Sequence, residues 1–181
     1  MTKKYKLDDN DTINIYDKTL YRIVALIDFA GVSPGDKGGY IEKEENLSQH
    51  GNAWVRDEAW VYGNAKVYDN ALVCGKAEVY GNARISGNAK VYGNARVSGS
   101  AVIYGLSDIY ENAKVSGHCK IFGLSFVCGN ASVYEYAEVH GSAVHGSACI
   151  YGNARVYGDA EVCELARVGG DTCICGNEHA Q

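Results

Sequence analysis

The chain has 181 residues, of which 22 are Gly and only one, Pro34, is Pro, and its formal net charge is −5. That charge disfavours nucleic acid or an anionic membrane as a bulk partner. No apolar run approaches a membrane span, and Gly this frequent without Pro points to many tight turns rather than a disordered linker. The seven cysteines are odd in number and follow no disulfide framework. The lysines of "MTKKYKLDDNDT" precede no apolar core. Both features lead us to expect a reduced, cytoplasmic protein without a secretory leader.

Residues 1–46 do not repeat. "TLYRIVALIDF" (Thr19 to Phe29) is apolar and β-branched and reads as a strand, with "INIY" before it as a hairpin partner. "GVSPGDKGGYI" reads as a turn-rich connection. This segment is expected to form a small N-terminal β cap (residues 1–46) over the first coil of residues 47–181, because an open solenoid end exposes unpaired backbone and apolar side chains.

From Asn52 the chain runs in hexapeptides: NAWVRD, EAWVYG, NAKVYD, NALVCG and so on, fifteen units without a gap to Gly141. A five-residue unit follows, SAVHG (Ser142 to Gly146), and then five more hexapeptides to Gly176. Slot two is nearly always Ala and slot four Val or Ile, so strand alternation puts these two on one side. Slots three and five face the other way and are mixed. Slots six and one, usually Gly–Asn, tolerate positive φ and make a corner. A period of six does not fit a helix, and Gly recurs too often for a helix interior. Three such strands close a triangular coil, and stacked coils pair strand on strand in parallel.

These units resemble the hexapeptide-repeat, left-handed parallel β-helix family over Asn52 to Gly176. The resemblance implies an all-β, left-handed parallel β-helix of about seven triangular coils. The segment "YRIVALIDFAGVSPGDKGGYIEKEENLSQHGNAWV" is similar to bacterial YdcK-like proteins of unknown function, at positions that include Arg22, Asp28, Phe29, Gly38, Asn46 and Trp54. That second resemblance carries no known chemistry with it.

Residues 18 apart stack on one face. The least polar face carries Trp54, Leu72, Tyr92, Leu106, Tyr110, Leu124, Phe126 and His145, and we expect an apolar patch there that binds a protein partner or a second copy of the chain. Another face carries Lys66, Arg84, Lys120 and Arg155 in one column, interrupted by Glu138. It reads as a solvated face rather than a nucleic-acid site. The last coil is expected to be uncovered, with no strand after Gly176, and so available for self-association or docking.

Catalysis is the competing expectation. Many proteins of this fold are acyltransferases that use a coenzyme A or acyl-carrier thioester at a subunit interface. Those enzymes carry a catalytic His, inserted loops and often a C-terminal helix. Here the coils run without insertion, and no His is expected beside a carboxylate in a pocket. His140 and His145 have the five-residue spacing of the metal-binding pair in carbonic anhydrases of this fold, but each takes slot five of its own unit, which separates the rings. Cys173 and Cys175, with His179 beyond, offer the start of a zinc site; small side chains on an end strand are the plainer reading. No catalytic residue, metal or cofactor is expected. The doubled "VHGSAVHGSA" reads as a register slip that omits the outward slot-three residue and leaves a notch between Phe126 and Glu161. The sequence therefore points to a non-catalytic, rigid scaffold that binds a protein. By analogy, that class extends to phage or mobile-element inhibitors of a host defence protein.

Overall fold

The structure is a computed structural model that describes residues 2–181. Each repeat unit contributes a two- or three-residue strand and a corner, from β4 (Trp54–Val55) to β24 (Cys173–Cys175), and β25 (His179–Ala180) follows the last unit. The slot-two and slot-four side chains all point inward. Ala53, Val55, Ala59, Val61 and their successors up to Val162 are almost fully buried and make one continuous apolar column. Small Ala alternating with branched Val or Ile lets three strands approach a common axis, and burial of each branched side chain contributes ~1.5–3 kcal/mol. Slot six needs positive φ. Gly supplies it at most corners, and Asp57, Asp69, Glu111, Glu135 and Glu164 adopt it at φ of 56–61°. Four of these acids are compensated: Asp57, Asp69, Glu111 and Glu135 accept a hydrogen bond from the backbone N–H of Gly75, Gly87, Gly129 and Gly152 in the next coil, at 2.7–3.1 Å.

The coils stack into three sheets of ten, eight and seven strands, parallel throughout the prism. The seven expected coils are present. The strand β25, which the sequence reading did not foresee, begins an eighth by pairing in parallel with β22 (Glu161–Val162). Of the last full coil, only β22 is therefore covered; the last hexapeptide still ends the seven-stranded sheet, and no strand follows it there. Outward rings form ladders, such as Tyr92 on Tyr110 at 5.0 Å and Tyr104 on Phe122 at 5.0 Å, each contributing ~0.5–1.5 kcal/mol beyond burial.

The N-terminal segment joins the prism through one sheet. Strands β1 (Tyr5–Ile15) and β2 (Lys18–Ala25) form an antiparallel hairpin. The stretch read as a connection contains β3 (Lys37–Ile41), which pairs antiparallel with β2 and parallel with β5 (Trp60–Val61). A single ten-stranded sheet thus changes from antiparallel to parallel at β3. Tyr5, Ile23 and Leu47 belong to the same apolar core as the coils. The Tyr5 hydroxyl donates to the carbonyls of Leu47 (2.7 Å) and Glu44 (3.0 Å), and the Lys4 ammonium donates to Ala53 O (2.8 Å). Backbone acceptors at the first coil are in this way satisfied by side chains.

Candidate functional site

The eight-stranded sheet holds the residues singled out above. Along its leading corner, slot one begins as an asparagine ladder. Asn52 donates to Asn70 (3.1 Å) and Asn70 to Asn88 (3.2 Å). The ladder stops at Leu106 and Leu124, which are each 56% exposed. Beneath them, slot two holds Ser in place of Ala. Ser107 and Ser125 are fully buried and donate to the corner carbonyls of Tyr104 (2.9 Å) and Phe122 (2.6 Å). Ser125 also accepts from the Gly141 N–H at 2.9 Å. Phe126, two residues after Leu124, is 37% exposed. Leu106, Leu124 and Phe126 thus stand together as an apolar interruption of a polar corner.

The other predicted contacts fall elsewhere. Trp54 is 3% exposed, enclosed edge-on by Tyr5 and Phe29 at ring-centroid distances of 6.1 and 5.2 Å. It is part of the cap's seat and not of any surface patch; the column reading ignored the segment that folds over it. Leu72 is half-buried against the core. Tyr92 and Tyr110 are half-buried in their mutual stack. Lys90 and Asp108 lie between Leu72 and Phe126 in the same column, so no continuous apolar stripe runs from Trp54 to Phe126. On the seven-stranded sheet, Glu138 pairs with Lys120 (2.9 Å) and Arg155 (3.7 Å) and so offsets one of the column's positive charges.

The five-residue unit resolves differently from expectation. Ala143 is in register with Phe126 and Glu161, and Val144 with Val127 and Val162. Slots three and four are therefore both filled, and the residue missing is the corner residue of slot one. Loss of a strand residue would break two rows of parallel pairing, whereas loss of a corner residue leaves both strands whole. Ser142 takes slot two, 2% exposed, with its hydroxyl on the carbonyls of His140 and Gly158, both at 3.2 Å. Between Phe126 and Glu161 the slot-three column thus holds only the methyl of Ala143.

The two histidines separate as expected. His140 stacks on Phe122 (4.4 Å) in the seven-stranded sheet. His145 lies in the eight-stranded one, and there it meets an arrangement that the sequence reading missed. His145 Nε2 is 2.6 Å from Glu161 Oε1, and Glu161 Oε2 is 2.8 Å from His179 Nδ1. Cys163 Sγ completes the group: one ligand atom each from His145, Glu161 and Cys163 lie within 4.8 Å of one another. A His was thus placed beside a carboxylate after all. The signal was available as a diagonal, because a slot-five side chain lies next to the slot-three side chain one coil on. The hydrogen bond from His145, and the charges of both imidazoles, lower the Glu161 carboxyl below its ordinary pKa against a smaller opposing effect of burial. His179 lies on β25, while Cys173 and Cys175 lie on β24 (Cys173–Cys175) of the seven-stranded sheet. The Cys173–Cys175–His179 grouping is therefore not formed.

Fold and beat together define a hexapeptide-repeat parallel β-solenoid. Within that class, residues 89–105 and 148–164 match the family model of the YdcK beta solenoid repeat. A 63-residue stretch is 33% identical to the protein called Uncharacterized acetyltransferase YdcK of Escherichia coli (strain K12), covering 31% of this chain and 19% of that protein. The chain thus matches only about a fifth of that relative's length. Among the described residues, no helix is long and apolar enough to cross a membrane, and the seven cysteines are free of disulfides.

Proposed function

We propose that this chain is a rigid, non-catalytic scaffold whose Leu106–Leu124–Phe126 patch docks a protein partner. The observation that carries the reading is the position of the two leucines. At this corner every preceding coil presents a hydrogen-bonding Asn, and here two successive coils present largely exposed Leu beside an exposed Phe. An apolar cluster rimmed by polar residues on strands paired on both sides is suited to a pre-organised contact. By analogy alone, a host defence protein countered by a phage or mobile-element inhibitor is one such partner. The test is affinity for a co-purified partner. Leu124→Asp and Phe126→Asp should each weaken binding at least about tenfold, as for buried contact residues, with unchanged circular dichroism. Arg84→Asp, on another sheet, should leave it intact. Equal binding by all three variants would refute the docking face.

A second reading, an acyltransferase that uses a coenzyme A or acyl-carrier thioester, draws on the printed name of the YdcK relative and on the His145–Glu161 pair, which has the form of an oriented general base. Thiol release from acetyl-coenzyme A above background, abolished in His145→Ala, would replace the scaffold reading with this one.

A further inference from the structure

Three strands in successive coils of the eight-stranded sheet bring together a mixed set of ligand atoms. From β19 (Ala143–Val144) the chain continues into His145, from β22 into Cys163, and β25 opens on His179. Glu161 on β22 sits between the two imidazoles, one carboxylate oxygen toward each, at 2.6 and 2.8 Å. A hydrogen-bonded His–Glu–His chain on a surface needs no thiol. Here the Cys163 sulfur is buried against that chain, within 4.8 Å of the His145 and Glu161 ligand atoms.

We propose that His145, Glu161 and Cys163 bind a zinc ion, with His179 as the fourth ligand. Imidazole nitrogen, carboxylate oxygen and thiolate sulfur are all donors that zinc accepts in a tetrahedral site, at ~2.0–2.3 Å. The thiolate selects zinc over magnesium or calcium, which prefer all-oxygen shells. All four residues project from the same sheet: the ligand atoms of His145, Glu161 and Cys163 lie within 4.8 Å of one another, and His179 Nδ1 is 2.8 Å from Glu161. Cys163 binds as thiolate and its proton passes to the buffer. Such an ion ties the last three strands of this sheet together and leaves no open position for a substrate, so its role is structural. Neither the docking patch nor the acyltransferase reading is needed for it.

The experiment titrates the full chain, stripped with chelator, with zinc chloride by calorimetry and with cobalt(II) by absorption. One ion per chain is expected, with a dissociation constant below about 1 µM, and a thiolate-to-cobalt charge-transfer band. Cys163→Ser should abolish the band. Glu161→Gln, a near-isosteric change at a partly exposed site, should weaken zinc at least about tenfold with unchanged circular dichroism. The Cys173→Ser, Cys175→Ser double variant should bind as the parent does. Absence of stoichiometric binding overturns the proposal. So does a band that survives Cys163→Ser, or one lost only with Cys173 and Cys175.

Discussion

Replacing Gly99 by Ala isolates the constraint that sets the coil spacing. Gly99 sits at a corner with φ of +66°, and a Cβ built there lies 2.7 Å from both the N and the O of Gly117 in the next coil. Gly170 has nearly the same conformation, φ +64°, with nothing within 4 Å of the corresponding position. A Cβ at positive φ costs ~1–2 kcal/mol, and Ala returns ~0.4–1 kcal/mol by restricting the unfolded chain. Gly170→Ala should therefore cost about 1 kcal/mol. Gly99→Ala adds the displacement of a backbone that is paired on both sides. Overpacking of this kind costs ~1–3 kcal/mol, for a total of about 2–4 kcal/mol. Glu135, two coils further along the same corner, shows how the slot accepts a side chain: its carboxylate takes the Gly152 N–H at 2.7 Å. Gly99→Glu should accordingly recover part of the loss by accepting from Gly117. Urea unfolding followed by far-ultraviolet circular dichroism reads all three variants. If Gly99→Ala costs no more than Gly170→Ala, the coils are free to shift and the rigid-prism argument fails.

Two further outcomes follow from the buried polar groups. Burial lowers the Lys4 pKa from 10.5 to about 8, so between those values the unfolded chain holds a proton that the folded chain has released. Stability from this group therefore rises as pH goes from about 8 toward 10.5, and Lys4→Met should flatten that rise in urea melts across the window. Ser125 both donates to Phe122 O and accepts from Gly141 N–H, whereas Ser107 donates to Tyr104 O and Gly123 O alone. Ser125→Ala should cost ~1–2 kcal/mol and Ser107→Ala less than ~1 kcal/mol; the reverse order in chemical denaturation would show that the short corner does not depend on Ser125.

The prism was legible because one physical rule repeats at every unit. Ala and Val in slots two and four must face the axis, and the columns of Lys66, Trp60 and Leu72 then follow by counting. The rule gave out where the chain leaves it. Nothing in a column count shows that Tyr5 and Phe29 enclose Trp54, because that contact depends on how a non-repeating segment folds back. The five-residue unit was found by counting, but which slot it lacks depends on a comparison of hydrogen-bond losses at strand and corner. The His145–Glu161–His179 chain escaped because stacking was read along columns only, and because "NEHAQ" has no hexapeptide signature to announce β25. The leucines at 106 and 124, by contrast, were visible as departures from Asn and remain the most exposed apolar pair on their corner.

The claim that this corner is the docking surface is tested most directly by placing a benzophenone-bearing amino acid at position 124 or at position 84 and irradiating cells that express the chain. The account predicts a stoichiometric adduct with one protein from position 124 and none from position 84, which lies on the seven-stranded sheet. Adducts from position 84 alone, equal adducts from both positions, or none from position 124 would contradict it.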